Sequence, residues 1–144
     1  MEFVYYSMVN VLIKTDTRYP VNRKIIRKAI LDTFKRYKIE KIDAEVSVAV
    51  VGKRKMDSLC RKYLKDEKNH QVLAFALEEV VGSQMERAQA GFVNPPDEIL
   101  RLGDVVLCWP QLLEEAAKDN IMVDEELYRL TLHGMEHLFG EHHE

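Results

Sequence analysis

A chain of 144 residues is long enough for one domain with a buried core. With 47% hydrophobic and 31% charged residues, and no apolar run of bilayer length, the composition is that of an ordinary soluble domain and excludes a transmembrane helix; two cysteines exclude a disulfide framework. The net charge of −3 hides an asymmetry: residues 1–68 carry 17 Lys and Arg against 9 Asp and Glu (+8), whereas residues 69–144 carry 4 against 15 (−11). Such a split suits either two differently solvated halves or a basic surface for a polyanion beside an acidic half that carries a cation site.

Residues 1–13, rich in Val, Tyr, Phe and Ile, predict a first strand, and they lack the basic leader and cleavage site of a signal peptide. A polar connection, residues 14–20, leads to Asn22, which can cap a helix reaching about Tyr37 with Ile25, Ile26, Ala29, Ile30 and Phe34 on its apolar stripe. Much of its remaining surface is cationic, with Arg23, Lys24, Arg27, Lys28, Lys35 and Arg36. Residues 44–51 alternate around Val46, Val48 and Val50 and predict a second strand. Gly52 punctuates it, and a second basic helix follows over residues 53–65, buried along Met56, Leu59, Cys60, Tyr63 and Leu64.

Residues 71–77 predict a third strand. The stretch 78–101 holds Gly82, Gly91 and the run Asn94-Pro95-Pro96-Asp97, and it predicts a long loop or hairpin bordering the cleft. Residues 102–108 predict a fourth strand with a tight entry at Gly103. Pro110 suits the first turn of the next helix, which runs to about Lys118. Asp124 begins the last helix, with Glu125 and Glu126 in its favourable first turn. No repeat or linker divides the chain, so residues 1–144 are read as a single α/β (α+β) domain: a small mixed four-stranded sheet covered by four to five helices. Strand order does not follow from the pattern.

Four of the five histidines fall within residues 133–143. His133 and His137, four apart, share one helix face a turn apart. Gly140 offers a C-cap, after which the chain can fold back and bring a third imidazole to the pair. His142 and His143 compete for that position on local grounds. Three imidazoles with an open fourth position form a hydrolytic zinc site, although nickel, copper or iron also suit an all-nitrogen set. A zincin protease needs Glu directly after the first histidine; that position is Gly134, and Glu136 points about 100° away from the ligand face.

The segment His133-Gly134-Met135-Glu136-His137-Leu138-Phe139-Gly140-Glu141-His142-His143 resembles the H-G-x-L-H-L-x-G-x-D-H signature of the YbeY family. That family comprises metal-dependent endoribonucleases linked to ribosomal RNA maturation. Leu102-Gly103-Asp104-Val105-Val106-Leu107-Cys108 is similar to the family's L-G-D-I-x-I-C strand, and residues 59–75 match more weakly. The resemblance implies that His133, His137 and His143 hold one zinc ion per chain and act through its bound water. It also implies hydrolysis of RNA phosphodiesters in ribosomal RNA maturation or quality control, with ribosomal RNA or the small ribosomal subunit as partner; the cysteine usage, Cys60 and Cys108 alone, suits a reducing cytoplasm.

The departures are specific. Leu64 stands where the family has an arginine expected to contact the substrate phosphate or stabilise the transition state, which leucine cannot do. His70-Gln71 replaces a Thr-Asp pair, Ala74 a serine and His142 an aspartate. Family members usually continue into a further helix beyond the position of Glu144. Arg61, Lys62 and Lys65 are the candidates to restore the positive charge and contact RNA, and His70 to approach the cleft. The alternative is a non-catalytic RNA- or ribosome-binding factor with a retained structural metal, and a third, weaker option is a metallohydrolase of another substrate.

Overall fold

The computed structural model describes residues 9–16, 18–38, 43–64, 70–76 and 99–140. Four strands, β1 (Val9–Thr15), β2 (Ala44–Val51), β3 (Val72–Ala76) and β4 (Leu100–Cys108), form one sheet in the order β1-β2-β4-β3. β1, β2 and β4 are parallel, and β3 runs antiparallel to β4. The helices are α1 (Arg23–Arg36), α2 (Lys53–Leu59), α3 (Trp109–Lys118) and α4 (Val123–Leu138); α2 continues into a wider π-helical turn, Cys60–Leu64. The expected mixed four-stranded sheet with its helices is present.

β1 extends to Thr15, two residues past the predicted end. Lys14 and Thr15 pair with Ala49 and Val50, so backbone pairing, not side-chain polarity, ends this edge strand. The predicted residues 1–8 lie outside the described residues, as does most of the predicted loop (77–98). β4 starts two residues early, at Leu100, where it pairs with Ala44. The register then shifts: Glu45 faces Arg101 but Val46 faces Gly103, leaving Leu102 as the extra residue of a bulge. Gly103 has φ +134°, a conformation side chains disfavour, and the bulge sends Asp104 to accept from Ser47 Oγ at 2.6 Å.

Consecutive residues of β4 serve both faces of the sheet. Val105 and Leu107 join Val46, Val48 and Val50 against Ile26, Ile30 and Phe34 of α1 and Leu127, Leu130 and Met135 of α4. Val106 and Cys108 join Leu73 against Met56 and Cys60 on the other face. The two basic helices therefore lie on opposite faces of the sheet and do not form one cationic surface.

α1 packs instead on the acidic helix α4. Arg36 donates to Glu136, Lys28 pairs with Asp32 at 3.2 Å, and Tyr128 Oη donates to the same Asp32 carboxylate at 2.6 Å. Part of the charge asymmetry is thus neutralised within the fold. Asn22 ties the two helix starts together: its Oδ1 accepts from Lys24 N at 3.2 Å as the predicted cap, and its Nδ2 donates to Asp124 at 3.1 Å.

Candidate metal centre

α4 carries the histidines along a face that runs against β3 and β4. Gly134 makes that approach possible. A Cβ there would lie 2.7 Å from Val105 Cγ1 and 3.2 Å from Val72 Cγ2, so any side chain would push the helix off the sheet. The helix ends where the sequence predicts: Gly140 adopts φ +90° and its N–H bonds His137 O at 3.0 Å.

The (i, i+4) spacing brings His133 and His137 together as expected. Their Nε2 atoms are 3.1 Å apart and their rings meet edge to face at 84°, both half-buried. Two ring nitrogens at this distance are satisfied either by one N–H donating to the other or by a cation shared between two lone pairs. Two ligands of a tetrahedral ion with metal–nitrogen distances of ~2.0–2.1 Å stand about 3.3 Å apart, so the separation of the pair is close to that of two zinc ligands. Among the described residues no group of three His, Cys, Asp or Glu surrounds a common point. The proposed third ligand, His143, and its competitor His142 lie outside the described residues.

The pair opens onto a cavity of about 600 Å³ walled by β3 (Val72, Leu73, Ala74), by α3 and by the end of the π-helical turn. His70 lines it, as the sequence suggested. Leu64, 46% exposed, lines it at the position of the family arginine. Arg61 and Lys62 are exposed on the same turn but are not among the lining residues, and Lys62 Nζ lies 5.1 Å from the Tyr63 ring centroid. Lys65 lies outside the described residues.

Two lining groups escaped the sequence reading, and a third, Gln71, stood there only as a departure from the family pattern. Gln111 and Glu115 come from α3, where Gln111 Nε2 donates to Glu115 at 3.3 Å; their (i, i+4) spacing on an amphipathic helix is the signal that could have flagged them. Gln71 contributes a buried Oε1 with no hydrogen-bond partner among the described residues. An acceptor left unmatched in a cavity wall is a group that a bound ligand or water would satisfy. Glu136, by contrast, is 8% exposed and turned toward Arg36 on α1, away from the cavity lining. It holds two helices together and is not placed to act as a base.

A family model described as endoribonuclease YbeY matches residues 12–144. A protein named endoribonuclease YbeY from Dehalococcoides mccartyi is 29% identical over 137 residues, covering 94% of this chain and 84% of its own length. Another so named, from Staphylococcus carnosus, is 35% identical over 112 residues, covering 74% of this chain and 65% of its own. The solution structure of a Thermotoga maritima protein shares the fold, with TM-score 0.54 and 21% identity over 95% of this chain and 75% of that one. With the match spanning the sheet, the helices and the histidine segment alike, the chain belongs to the YbeY family.

Proposed function

We propose that this protein is a metal-dependent endoribonuclease that cleaves ribosomal RNA during its maturation or quality control in the cytoplasm. The observation that carries the reading is the convergence of His133 and His137 Nε2 on one wall of the 600 Å³ cavity, in a chain whose curated relatives are named endoribonucleases. His133, His137 and His143 would hold the ion, with zinc the best match to an imidazole donor set. When bound, such an ion supplies Lewis acidity toward a phosphoryl oxygen and lowers the pKa of water at its open position.

The chain's own groups do the rest. Gly134 holds α4 against the sheet and so sets the two histidines beside β3. The β3 and α3 walls orient the strand, with Gln71 and Gln111 as hydrogen-bonding groups for sugar or base edges. Leu64 supplies an apolar contact in place of a cation, so neutralisation of the phosphate falls to Arg61 and Lys62, exposed on the same turn, and to Lys65. Among the described residues no helix is long and apolar enough to cross a membrane.

Leu64 also favours a second reading, a ribosome- or RNA-binding factor whose metal is structural. One experiment separates the two: ribosomal RNA fragments are incubated with the zinc-loaded protein, the chelated protein and His137→Ala. The nuclease reading expects defined cuts that disappear in both controls, and cuts that survive either control would overturn it. Tight RNA binding without cuts by the loaded protein would establish the second reading.

A further inference from the structure

The connections that follow β1 and β2 leave the sheet on opposite sides. After β1 the chain passes through Asp16, Arg18 and Tyr19 to α1, which packs on one face; after β2 it turns at Gly52 into α2, which packs on the other. The two strands are adjacent and parallel. Connections that diverge in this way leave a crevice at the carboxyl ends of the strands, and in open α/β sheets that is where ligands bind. The crevice is present as a cavity of about 760 Å³, lined from one side by Asp16, Arg18 and Tyr19 and from the other by Gly52, Lys53, Arg54 and Lys55.

Its chemistry is anionic-ligand chemistry. Arg18 is neutralised by Asp16, with Nε and Nη2 at 3.0 and 2.7 Å from the two carboxylate oxygens. Lys53, Arg54 and Lys55 are all exposed, and among the described residues none of the three forms an ion pair. Three unneutralised cations on consecutive residues around one concavity create a local positive potential that attracts phosphate. Gly52 has ordinary extended backbone, φ −83° and ψ 176°, so no unusual conformation demands a glycine. A Cβ there would lie 2.8 Å from Tyr19 Oη; its absence lets the phenol close against the backbone, while Tyr19 stacks on Trp109 at 6.1 Å.

We propose that this crevice is a phosphate-binding site, and that it holds a backbone phosphate of the RNA strand at a distance from the histidine cavity. The RNA part rests on the function proposed above. The two concavities share one edge of the sheet: β3 begins where β4 ends, with Val72 paired to Leu107, so His70–Ala74 and the crevice both lie at the carboxyl ends of the parallel strands. At ~4.8 Å per strand, β2, β4 and β3 set them roughly 10–15 Å apart, a span that a few nucleotides bridge.

The test uses the zinc-loaded protein and the double variant Lys53→Glu/Lys55→Glu, whose substitutions fall on exposed side chains. In the first arm, inorganic phosphate is titrated while the amide resonances of residues 52–55 are followed. Saturable shifts in the parent that vanish in the variant are expected, and no saturable shift in the parent would overturn the site. In the second arm, binding of single-stranded RNA is measured against salt. The variant is expected to bind at least tenfold more weakly at low salt, with a log–log slope shallower by ~0.7, as for one lost phosphate contact, while its zinc content is unchanged. Equal affinity and slope would overturn the assignment of the crevice to RNA. If the parent bound no RNA at all, the proposed function would fall with it, whereas the phosphate arm would still decide the site.

Discussion

His133 Nε2 stands 3.1 Å from His137 Nε2, one helical turn along α4, with the two ring planes 84° apart. Two unprotonated nitrogens at that distance repel, so the arrangement requires a proton or a cation between them. The helix that carries the pair is fixed from three sides, by the sheet beneath Gly134, by α1 through Arg36–Glu136 and by the turn at Gly140. A metal would find two ligands already close to the separation it needs, on a helix held in place by these contacts.

Gly134→Ala tests the first of these constraints. Alanine raises helix propensity by ~1 kcal/mol, but the new methyl meets Val105 at 2.7 Å, and overpacking of this kind costs ~1–3 kcal/mol. The expected net result is a loss of up to about 2 kcal/mol in chemical denaturation, with weaker zinc binding as the histidines lift from β3. A variant more stable than the parent, with unchanged zinc affinity, would show that the close approach does not set the site.

Glu136→Gln separates helix docking from chemistry. The carboxylate is largely buried and its partner Arg36 is half exposed, so the pair is worth about 1–2 kcal/mol, less than a fully buried ion pair. Stability should fall by that amount while zinc affinity and RNA cleavage per folded molecule hold. A fall in cleavage of a hundredfold or more at full folding would make Glu136 a proton-transfer group after all.

The Asp32–Tyr128 contact makes stability depend on acid. The Tyr128 hydroxyl donates to Asp32, and with Lys28 it holds the Asp32 carboxyl below its ordinary value. A depressed carboxylate contributes stability that is full above the unfolded pKa of ~3.9 and is lost as pH falls through the folded value. Tyr128→Phe should raise the Asp32 pKa in an NMR titration and destabilise the protein at neutral pH. That difference should shrink below pH ~4, once Asp32 is protonated in the parent too. A destabilisation that stays constant down to pH 2 would mean that it comes from packing, not from the charge.

Leu64→Arg places a cation in the cavity wall where the family carries one. If substrate phosphate passes this wall, cleavage of ribosomal RNA should rise by up to roughly a hundredfold, the lower end of what one well-placed donor supplies. Unchanged cleavage would mean that the strand does not approach the α2 side of the cavity.

What the sequence revealed depended on how local the signal was. β2 matches its predicted bounds because Val46, Val48 and Val50 alternate against one face, and α1 its start because Asn22 supplies a cap oxygen. The histidine pair and the Gly140 stop are likewise properties of a few neighbouring residues. The strand order, the reversal of β3 and the separation of the basic helices onto opposite faces arise from long-range pairing, which no local period encodes. Gln111 and Glu115 became site residues only because α3 follows directly from the end of β4 and turns that face into the cavity. The bulge at Leu102 was equally hidden, although Gly103 marked its place.

Anomalous diffraction at the zinc edge from crystals of the zinc-loaded protein addresses the metal centre most directly. The predicted result is one peak per chain, ~2.0–2.1 Å from Nε2 of both His133 and His137, with a third imidazole from the His142–His143 segment and one position open. A peak bound elsewhere, or no peak beside this pair at full zinc loading, would contradict the metal centre and the hydrolytic function built on it.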